Sequence, residues 1–233
     1  ATIFSDLFLR LRRHDSLLPQ HDHAILLTKH DLLTAAGESA TQGIAYVRMM
    51  CKPGDSSSVV EDVGGMATAV IAAHELAHSL GALHDGGGET AECPAADNFL
   101  MSPSTAAGAR LANAFRLSPC SAARIGNFTK HAASWCIHKR SSATRAAEDA
   151  SRPAPPPSSL TRAQLCQIAF APHYSTCPTP WLYSSSSQCG QLWCKDRRLR
   201  RRAPCETKPF LPSLDGDHCG FGMWCQRGEC VVN

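Results

Sequence analysis

The spacing of apolar residues predicts that helices and short strands alternate in the first part of the chain. Residues 1–13 carry apolar side chains at helical spacing, which predicts a helix there. Three short apolar runs between polar or glycine-containing segments predict β-strands: Ala24–Thr28, Ile44–Met50 and Val59–Asp62. This order of elements indicates a mixed α and β domain.

The longest apolar run, Val63 to Leu83, contains a second predicted helix around residues 65–80. The run is a poor membrane span because His74, Glu75 and His78 lie in its middle, and ionisable groups at a bilayer centre are costly. We therefore expect a buried helix of a globular domain and no transmembrane segment.

The chain beyond this helix divides into four stretches by pattern. Residues 86–110 are rich in Gly, Ala, Ser and Pro and predict a loop, and Ser118–Ala133 is helical in pattern. Residues 139–162 hold Pro, Ser, Ala and charges without an apolar period, which is typical of a linker. A second module follows at 163–233.

Cysteine changes the picture most. Of 12 Cys in 233 residues, eight fall between Cys166 and Cys230. So short a segment buries too little apolar surface to be stable alone, so it predicts a disulfide scaffold in a secreted protein. Hydrophobic residues make up 43% and charged residues 18%, which excludes a disordered chain. The net charge of +3 gives no reason to expect a nucleic-acid partner.

A metal-binding signature, HExxHxxGxxH, begins at His74 and ends at His84. His74 and His78 are four residues apart, so both imidazoles lie on one face of a helix and can bind one Zn²⁺. Gly81 lets the chain leave the helix in a conformation that a Cβ disfavours, which returns His84 as a third ligand. Three protein ligands with an open fourth position are typical of catalytic zinc, and they weaken the alternative of a structural zinc protein.

The residue next to the first ligand, Glu75, is the candidate general base. Zinc lowers the pKa of a bound water and polarises a scissile carbonyl. Glu75 then accepts the water proton and delivers it to the leaving amine. The sequence thus predicts a hydrolase that cleaves peptide bonds.

The extended signature, followed by a candidate Met-turn at Asn98–Ser102 that contains Met101, resembles the metzincin metallopeptidases. Asp85 directly after the third His is similar to the adamalysin/reprolysin branch. The segments His21–Thr28 and Asp215–Val231 resemble the ADAMTS family, and the resemblance covers most of the chain.

The resemblance implies a fold class and a domain order. We expect an α/β (α+β) metzincin-type zinc-peptidase domain at 1–138, N-terminally truncated because such domains usually run to about 200 residues. A disulfide-rich, disintegrin-like module is expected at 163–233. The resemblance also implies six disulfides: Cys51–Cys136, Cys93–Cys120, Cys166–Cys194, Cys177–Cys205, Cys189–Cys225 and Cys219–Cys230.

Calcium is the second metal that the resemblance raises. The family often binds structural Ca²⁺ through an acidic residue shortly after the last Cys of the catalytic domain. Here Cys136 is followed by Ile137, His138 and Lys139, which argues against Ca²⁺. Asp22 is a further candidate oxygen ligand.

Two weaker signals concern the surface. The basic run Lys195–Arg202 has three interpretations: a solvated loop, a site for sulfated glycans of the matrix, or a convertase site at Arg198–Arg201. Asn127-Phe128-Thr129 is an N-glycosylation acceptor, although it lies on a predicted helix.

Two functions of different classes follow. The first is a secreted zinc endopeptidase that acts on extracellular or matrix proteins. The second is a truncated or inactive relative whose cysteine-rich module binds the extracellular matrix. The complete set of His74, Glu75, His78 and His84 favours the first, and the short peptidase part favours the second.

Overall fold

The structure, a computed structural model, describes residues 2–14, 21–34, 36–104, 111–138, 160–177, 187–202, 204–208 and 211–232. Helix α1 spans Thr2–His14, as the apolar spacing predicts. Three strands and a long helix follow: β1 (Ala24–Thr28), β2 (Gly43–Ala45), β3 (Ser57–Glu61) and α2 (Met66–Ser79). Helix α3 spans Pro119–Thr129 and is followed by a 3₁₀ turn at Ala132–His138.

The second module consists of short elements. Its described residues include the helices α4 (Arg162–Ala169) and α5 (Ser187–Gly190). Strands β4 (Tyr174–Thr176) and β5 (Cys194–Asp196) pair with each other in antiparallel fashion. A three-stranded antiparallel sheet at the end of the chain has the order β6 (His218–Gly220), β7 (Met223–Gln226) and β8 (Glu229–Val232).

The sheet of the first module has the order β1-β3-β2, with β1 parallel and β2 antiparallel to β3. The central strand β3 is almost entirely buried and contacts helix α2. One edge strand, β2, also contacts α2, which places that edge beside the zinc-signature helix. The other edge strand, β1, exposes Ile25, Leu26 and Leu27.

The strand predicted at Ile44–Met50 is wrong beyond Ala45. Arg48 and Cys51 have left-handed backbone conformations, with φ of 63° and 71°, which end a strand. The N–H groups of Arg48 and Met50 donate to the carbonyls of His78 and Ser79 at 2.9 and 3.0 Å. This segment therefore satisfies the last carbonyls of α2 instead of extending the sheet.

The predicted helix Ser118–Ala133 is also shorter than the pattern suggests. Ser118 is its N-cap, since its hydroxyl accepts from the N–H of Ser121 at 3.1 Å, and the helix ends at Thr129. Within the loop predicted at 86–110, the described residues form two 3₁₀ turns, Gly88–Thr90 and Ala95–Asp97. The predicted linker lies outside the described residues up to residue 159.

The two modules contact each other at the start of α2. Met66 packs against the core of the second module, which is built from Leu165, Cys166, Ala169, Leu192, Cys194 and Leu211. Gly65 lies against Ala169, where an added Cβ would be 3.4 Å from the Ala169 Cβ. In the part of the chain that the structure describes, no helix is both long and apolar enough to cross a bilayer.

Candidate metal centre

Three imidazole rings converge at the C-terminal half of helix α2. His74 and His78 project from one face of the helix, one turn apart, and His84 follows the turn that ends it. The Nε2 atom of His84 lies 3.1 Å from Nε2 of His74 and 3.1 Å from Nε2 of His78. The structure thus brings the three predicted ligands to one point.

Backbone carbonyls set the orientation of two of these rings. His74 Nδ1 lies 2.7 Å from the Leu100 carbonyl, and His78 Nδ1 lies 2.9 Å from the Ala82 carbonyl. A carbonyl only accepts, so each Nδ1 carries the proton and each Nε2 presents a lone pair. Lone pairs that face one another at this distance repel, and a cation between them removes that repulsion.

The donor set fits zinc. Zn–N bonds of about 2.0–2.1 Å at tetrahedral angles separate the nitrogens by about 3.3–3.4 Å, close to the Nε2 separations found here. Three neutral imidazoles in a fixed orientation are a common zinc donor set, and the carbonyl bonds to Nδ1 are the usual outer-shell support. His74 and His84 also line the cleft beside them, so a metal ion held here would be open to solvent.

Burial keeps these imidazoles neutral, as metal ligands must be. Burial, with a smaller contribution from the neighbouring His78 and His84, lowers the pKa of His74 to about 4, although the hydrogen bond to the Leu100 carbonyl opposes this shift. The pKa values of His78 and His84 are lowered for the same first reason, desolvation of the charged ring. Neutral rings near pH 7 therefore need no proton release before a cation binds.

The carboxyl of Glu75 lies beside the ligands and is only 5% exposed. Burial raises the pKa of Glu75 to about 7, because the charged carboxylate loses hydration. A cation held by the histidines would counteract this rise. A carboxyl whose pKa lies near neutrality can both accept and return a proton.

A cleft of about 480 Å³ opens over the site between β2 and the loop after α2. Its lining includes Glu75, two of the histidines, Thr41–Gly43 from the β2 edge and Ser102–Ser104 from the opposite side. Gly43 lies directly against the general base candidate: a Cβ at this position would be 2.5 Å from Glu75 Oε1. Gly43 directly precedes the predicted strand Ile44–Met50, and no local pattern indicated this contact with a residue 32 positions away.

Helix α3 supports the turn that carries His84. Arg124 Nε donates to the Gly81 carbonyl at 3.1 Å, and its Nη1 pairs with Glu89 at 2.6 Å. Gly81 has φ +101°, the left-handed conformation that the signature predicts. No sequence pattern indicated this role of Arg124, because its partner is a backbone carbonyl 43 residues away.

The residue after the third ligand, Asp85, connects it to the start of α3. The hydroxyls of Ser118 and Ser121 donate to Asp85 Oδ1 at 2.7 and 3.4 Å. The Asp85 N–H donates to the Met101 carbonyl at 2.9 Å. Met101 itself is fully buried against Ala77 and Ala82, directly beside the two ligand-bearing segments.

The remaining candidate residues lie away from the cleft. The cysteines form the six pairs named in the sequence analysis, and no cysteine is free in the described part of the chain. Asn127 is exposed on α3. The basic run begins in β5 and continues as a 3₁₀ turn, Arg197–Arg202, in which Arg198 pairs with the buried Asp196 at 2.8 Å.

This fold and site are matched by known families. Residues 4–141 match the family described as "Reprolysin (M12B) family zinc metalloprotease", and residues 156–231 match "ADAMTS cysteine-rich domain 2". The chain therefore belongs to the reprolysin (M12B) family of zinc metalloproteases. The matched peptidase part is followed, within the same chain, by an ADAMTS cysteine-rich domain.

Individual relatives agree with the family matches. The chain is 34% identical over 214 residues to human "A disintegrin and metalloproteinase with thrombospondin motifs 16". It is 32% identical over 214 residues to human "A disintegrin and metalloproteinase with thrombospondin motifs 18". It is 32% identical over 213 residues to human "A disintegrin and metalloproteinase with thrombospondin motifs 7". These alignments cover 91% of this chain but only 16%, 16% and 12% of the relatives, so the chain spans a small part of their length.

Proposed function

We propose that this chain is the catalytic part of a secreted zinc endopeptidase that cleaves extracellular or matrix proteins. The observation that carries the proposal is the convergence of three imidazoles, with Nε2 of His84 3.1 Å from Nε2 of both His74 and His78, beside the buried Glu75 carboxyl in the lining of an open cleft. Family membership supports the zinc and the peptidase class. Six disulfides support an oxidising, extracellular location.

Strand β2 is the proposed platform for the substrate backbone. Among the described residues it is an edge strand that pairs with β3, and its first residue, Gly43, lines the cleft beside Glu75. An extended peptide can add to such an edge by main-chain hydrogen bonds. This arrangement would align a peptide bond of the substrate with the three histidines.

The chemistry follows from the residues that face the cleft. His74, His78 and His84 would hold a zinc ion, which supplies Lewis acidity toward a carbonyl oxygen and a water molecule. Glu75 accepts a proton from water in the cleft and then donates it to the nitrogen of the departing amine. Gly43 leaves room for the Glu75 carboxyl to stay against the β2 edge.

Replacing the proposed base separates binding from chemistry. The Glu75→Gln variant keeps shape and zinc but removes the proton acceptor, so cleavage of a denatured protein substrate should fall by about 10²–10⁴-fold. Zinc content, measured by mass spectrometry of the purified protein, should stay at one per chain. The matched control Glu38→Gln changes an exposed loop carboxylate and should cleave like the wild type.

Two results would contradict the proposal. One is a wild-type chain that retains no zinc after purification in zinc-containing buffer. The other is a zinc-loaded chain whose cleavage rate is the same in the Glu75→Gln variant or in the presence of a chelator.

The second candidate is binding to sulfated glycans through Lys195–Arg202. The observation that favours it is the exposure of Arg197 on a turn that Asp196 anchors through Arg198. Arg197→Ser should elute from a heparin column at lower salt than the control Arg10→Ser, an exposed charge in the first module. Equal elution of the two variants would exclude this surface.

A further inference from the structure

The strands β7 and β8 are joined by a tight turn that touches the first module. Gln226 pairs with Glu229, which leaves Arg227 and Gly228 as a two-residue turn. Both have positive φ, 51° and 77°, the signature of a type I′ hairpin turn. We call Arg227–Gly228, with the adjoining Glu229, the hairpin tip.

The hairpin tip contacts the segment that precedes α3. A Cβ at Gly228 would be 2.8 Å from Cδ2 and 3.0 Å from Cε2 of Phe115, so the backbone of the tip lies directly against this ring. The neighbouring residues form an ion pair, with Arg116 Nη2 at 2.6 Å from Glu229 Oε2. The approach is close enough that only glycine fits at this position.

From Arg116 the contacts continue to the first zinc ligand. The Arg116 carbonyl accepts from the N–H of Leu100 at 2.9 Å. The carbonyl of the same residue, Leu100, accepts from His74 Nδ1 at 2.7 Å. The N–H of Leu100 is therefore held by the segment that the hairpin tip contacts. The carbonyl of Leu100 orients the His74 ring.

A cavity of about 360 Å³ lies behind this path, between the two modules. Its walls include Gly228 from the hairpin tip, Phe115, and Val70 and Leu100, which also line the cleft over the metal centre. Because the cavity lies beside Phe115, the ring has room to move when the tip pushes on it. Movement of Phe115 and Arg116 would therefore shift Leu100.

We infer that the hairpin tip of the second module is a positioning element for the metal centre, acting on His74 through Arg116 and Leu100. Outer-shell partners of this kind hold a ligand in the orientation that metal binding needs, and their loss typically lowers metal affinity by about 10–100-fold. The inference deepens the proposed function and rests on it, since it requires zinc at His74.

The decisive experiment compares two glycines of the same module in the full chain. Gly228→Ala and Gly222→Ala both place a Cβ at positive φ, +77° and +66°, but nothing lies within 4 Å of the Cβ at Gly222. Local backbone strain is therefore similar in both variants, and only Gly228→Ala pushes on Phe115. The readouts are the rate of zinc transfer to a chromogenic chelator and the steady-state constants for a peptide substrate.

We expect Gly228→Ala to release zinc about 10-fold faster and to lower kcat with little change in KM, while Gly222→Ala behaves like the wild type. Phe115→Ala removes the ring that the new Cβ meets. In that background, Gly228→Ala should cause no further zinc release, as a double-mutant cycle requires for a direct contact.

A variant without backbone strain covers the case in which Gly228→Ala does not fold. Glu229→Lys places a second positive charge beside Arg116 and should speed zinc release about threefold, whereas Glu229→Gln should change it less, since exposed pairs contribute little. Equal rates of zinc release from Gly228→Ala and Gly222→Ala would overturn the inference. If Gly228→Ala does not fold, a rate of zinc release from Glu229→Lys equal to that of the wild type would overturn it. These results leave the proposed function intact, because that proposal is tested on zinc binding by the wild-type chain and on the effects of Glu75→Gln and of a chelator on cleavage.

Discussion

The two modules differ in how distant parts of the chain are connected. In the first module, two disulfides span 85 and 27 residues. Its metal centre is held in place by hydrogen bonds from α3, from the loop after α2 and from the segment at Leu100. In the second module, four disulfides span 28, 28, 36 and 11 residues. Cys166 and Cys194 lie inside its core beside Leu165 and Leu192.

Because of this difference, we expect the two modules to tolerate different amino-acid substitutions. Four disulfides link the short elements of the second module, so we expect its fold to tolerate changes of surface residues that do not contact the first module. In the first module the ligands are placed by close contacts, so a change of one methyl group at the right position is expected to remove function while the fold persists.

The largest expected effect tests that sensitivity in the first module. Gly43→Ala puts a Cβ where Glu75 Oε1 lies 2.5 Å away, so the carboxyl must move from its place beside the cleft. Displacing a proton acceptor by about 1 Å can cost about 10²-fold in rate, and we expect a loss of this size in kcat. Cleavage of a peptide substrate by the purified variant measures it.

Gly87→Ala is the matched control for this substitution. Gly87 is extended, with φ −130°, and nothing lies within 4 Å of an added Cβ. It should cleave at the wild-type rate, and both variants should unfold at the same temperature within a few degrees. Full activity in Gly43→Ala would show that Glu75 is not held where the proposed chemistry needs it.

The second prediction compares two disulfides of nearly equal loop length. Cys93–Cys120 and Cys166–Cys194 span 27 and 28 residues, so each contributes about 3–4 kcal/mol through the entropy of the unfolded chain. The paired Cys→Ala change at 166 and 194 also leaves a cavity in the second core, because both cysteines are fully buried. We expect its loss of stability to exceed that of the 93/120 pair by about 1–2 kcal/mol.

Denaturant unfolding followed by tryptophan fluorescence measures both losses, since Trp135 belongs to the first module and Trp181, Trp193 and Trp224 belong to the second. The 93/120 variant serves as the control, and its second-module transition should stay near that of the wild type. If the two variants lose the same free energy of unfolding, Cys166 and Cys194 stabilise the second module only by linking the chain and not by packing in its core.

The smallest expected effect is a pH dependence confined to the first module. His23 Nδ1 lies 3.2 Å from Ser56 Oγ and Nε2 lies 3.0 Å from Ser58 Oγ. The Ser56 hydroxyl donates to the Asp22 carbonyl at 2.6 Å, so it accepts from His23 Nδ1, and Nε2 accepts from Ser58. Burial, and secondarily His21, lowers the pKa of His23 to about 4.

The sign follows from proton binding in the two states. Between about pH 6.5 and pH 4 the unfolded chain binds a proton at His23 and the folded chain does not, so stability falls as the pH is lowered through this window. Because solvent reaches part of the ring, we expect the loss between pH 7 and pH 5 to be about 1 kcal/mol or less. His23→Gln keeps a donor and an acceptor without titrating, so its unfolding free energy should fall less between pH 7 and pH 5 than that of the wild type. Parallel pH curves for the two proteins would exclude His23 as the cause.

The zinc signature was readable from the sequence because its geometry is local. The spacing of His74 and His78 fixes their common face on α2, and Gly81 marks where the helix must end. The bounds of the strand Ala24–Thr28 were also predicted correctly, since a short apolar run between polar segments is typical of a β-strand. The strand at Ile44–Met50 was overpredicted, because its later N–H groups find partners on α2 that no strand pattern encodes.

The sequence by itself determined the class of metal site, its helix, the candidate base and the presence of a disulfide-rich module. Each of these depends on residue type and on spacings within one turn or one segment. Only the tertiary structure decided that Gly43 lies against Glu75, that Leu100 orients His74 and that Gly228 reaches Phe115. These contacts join residues 26 or more positions apart, and their distances depend on how whole elements pack, which no local pattern records.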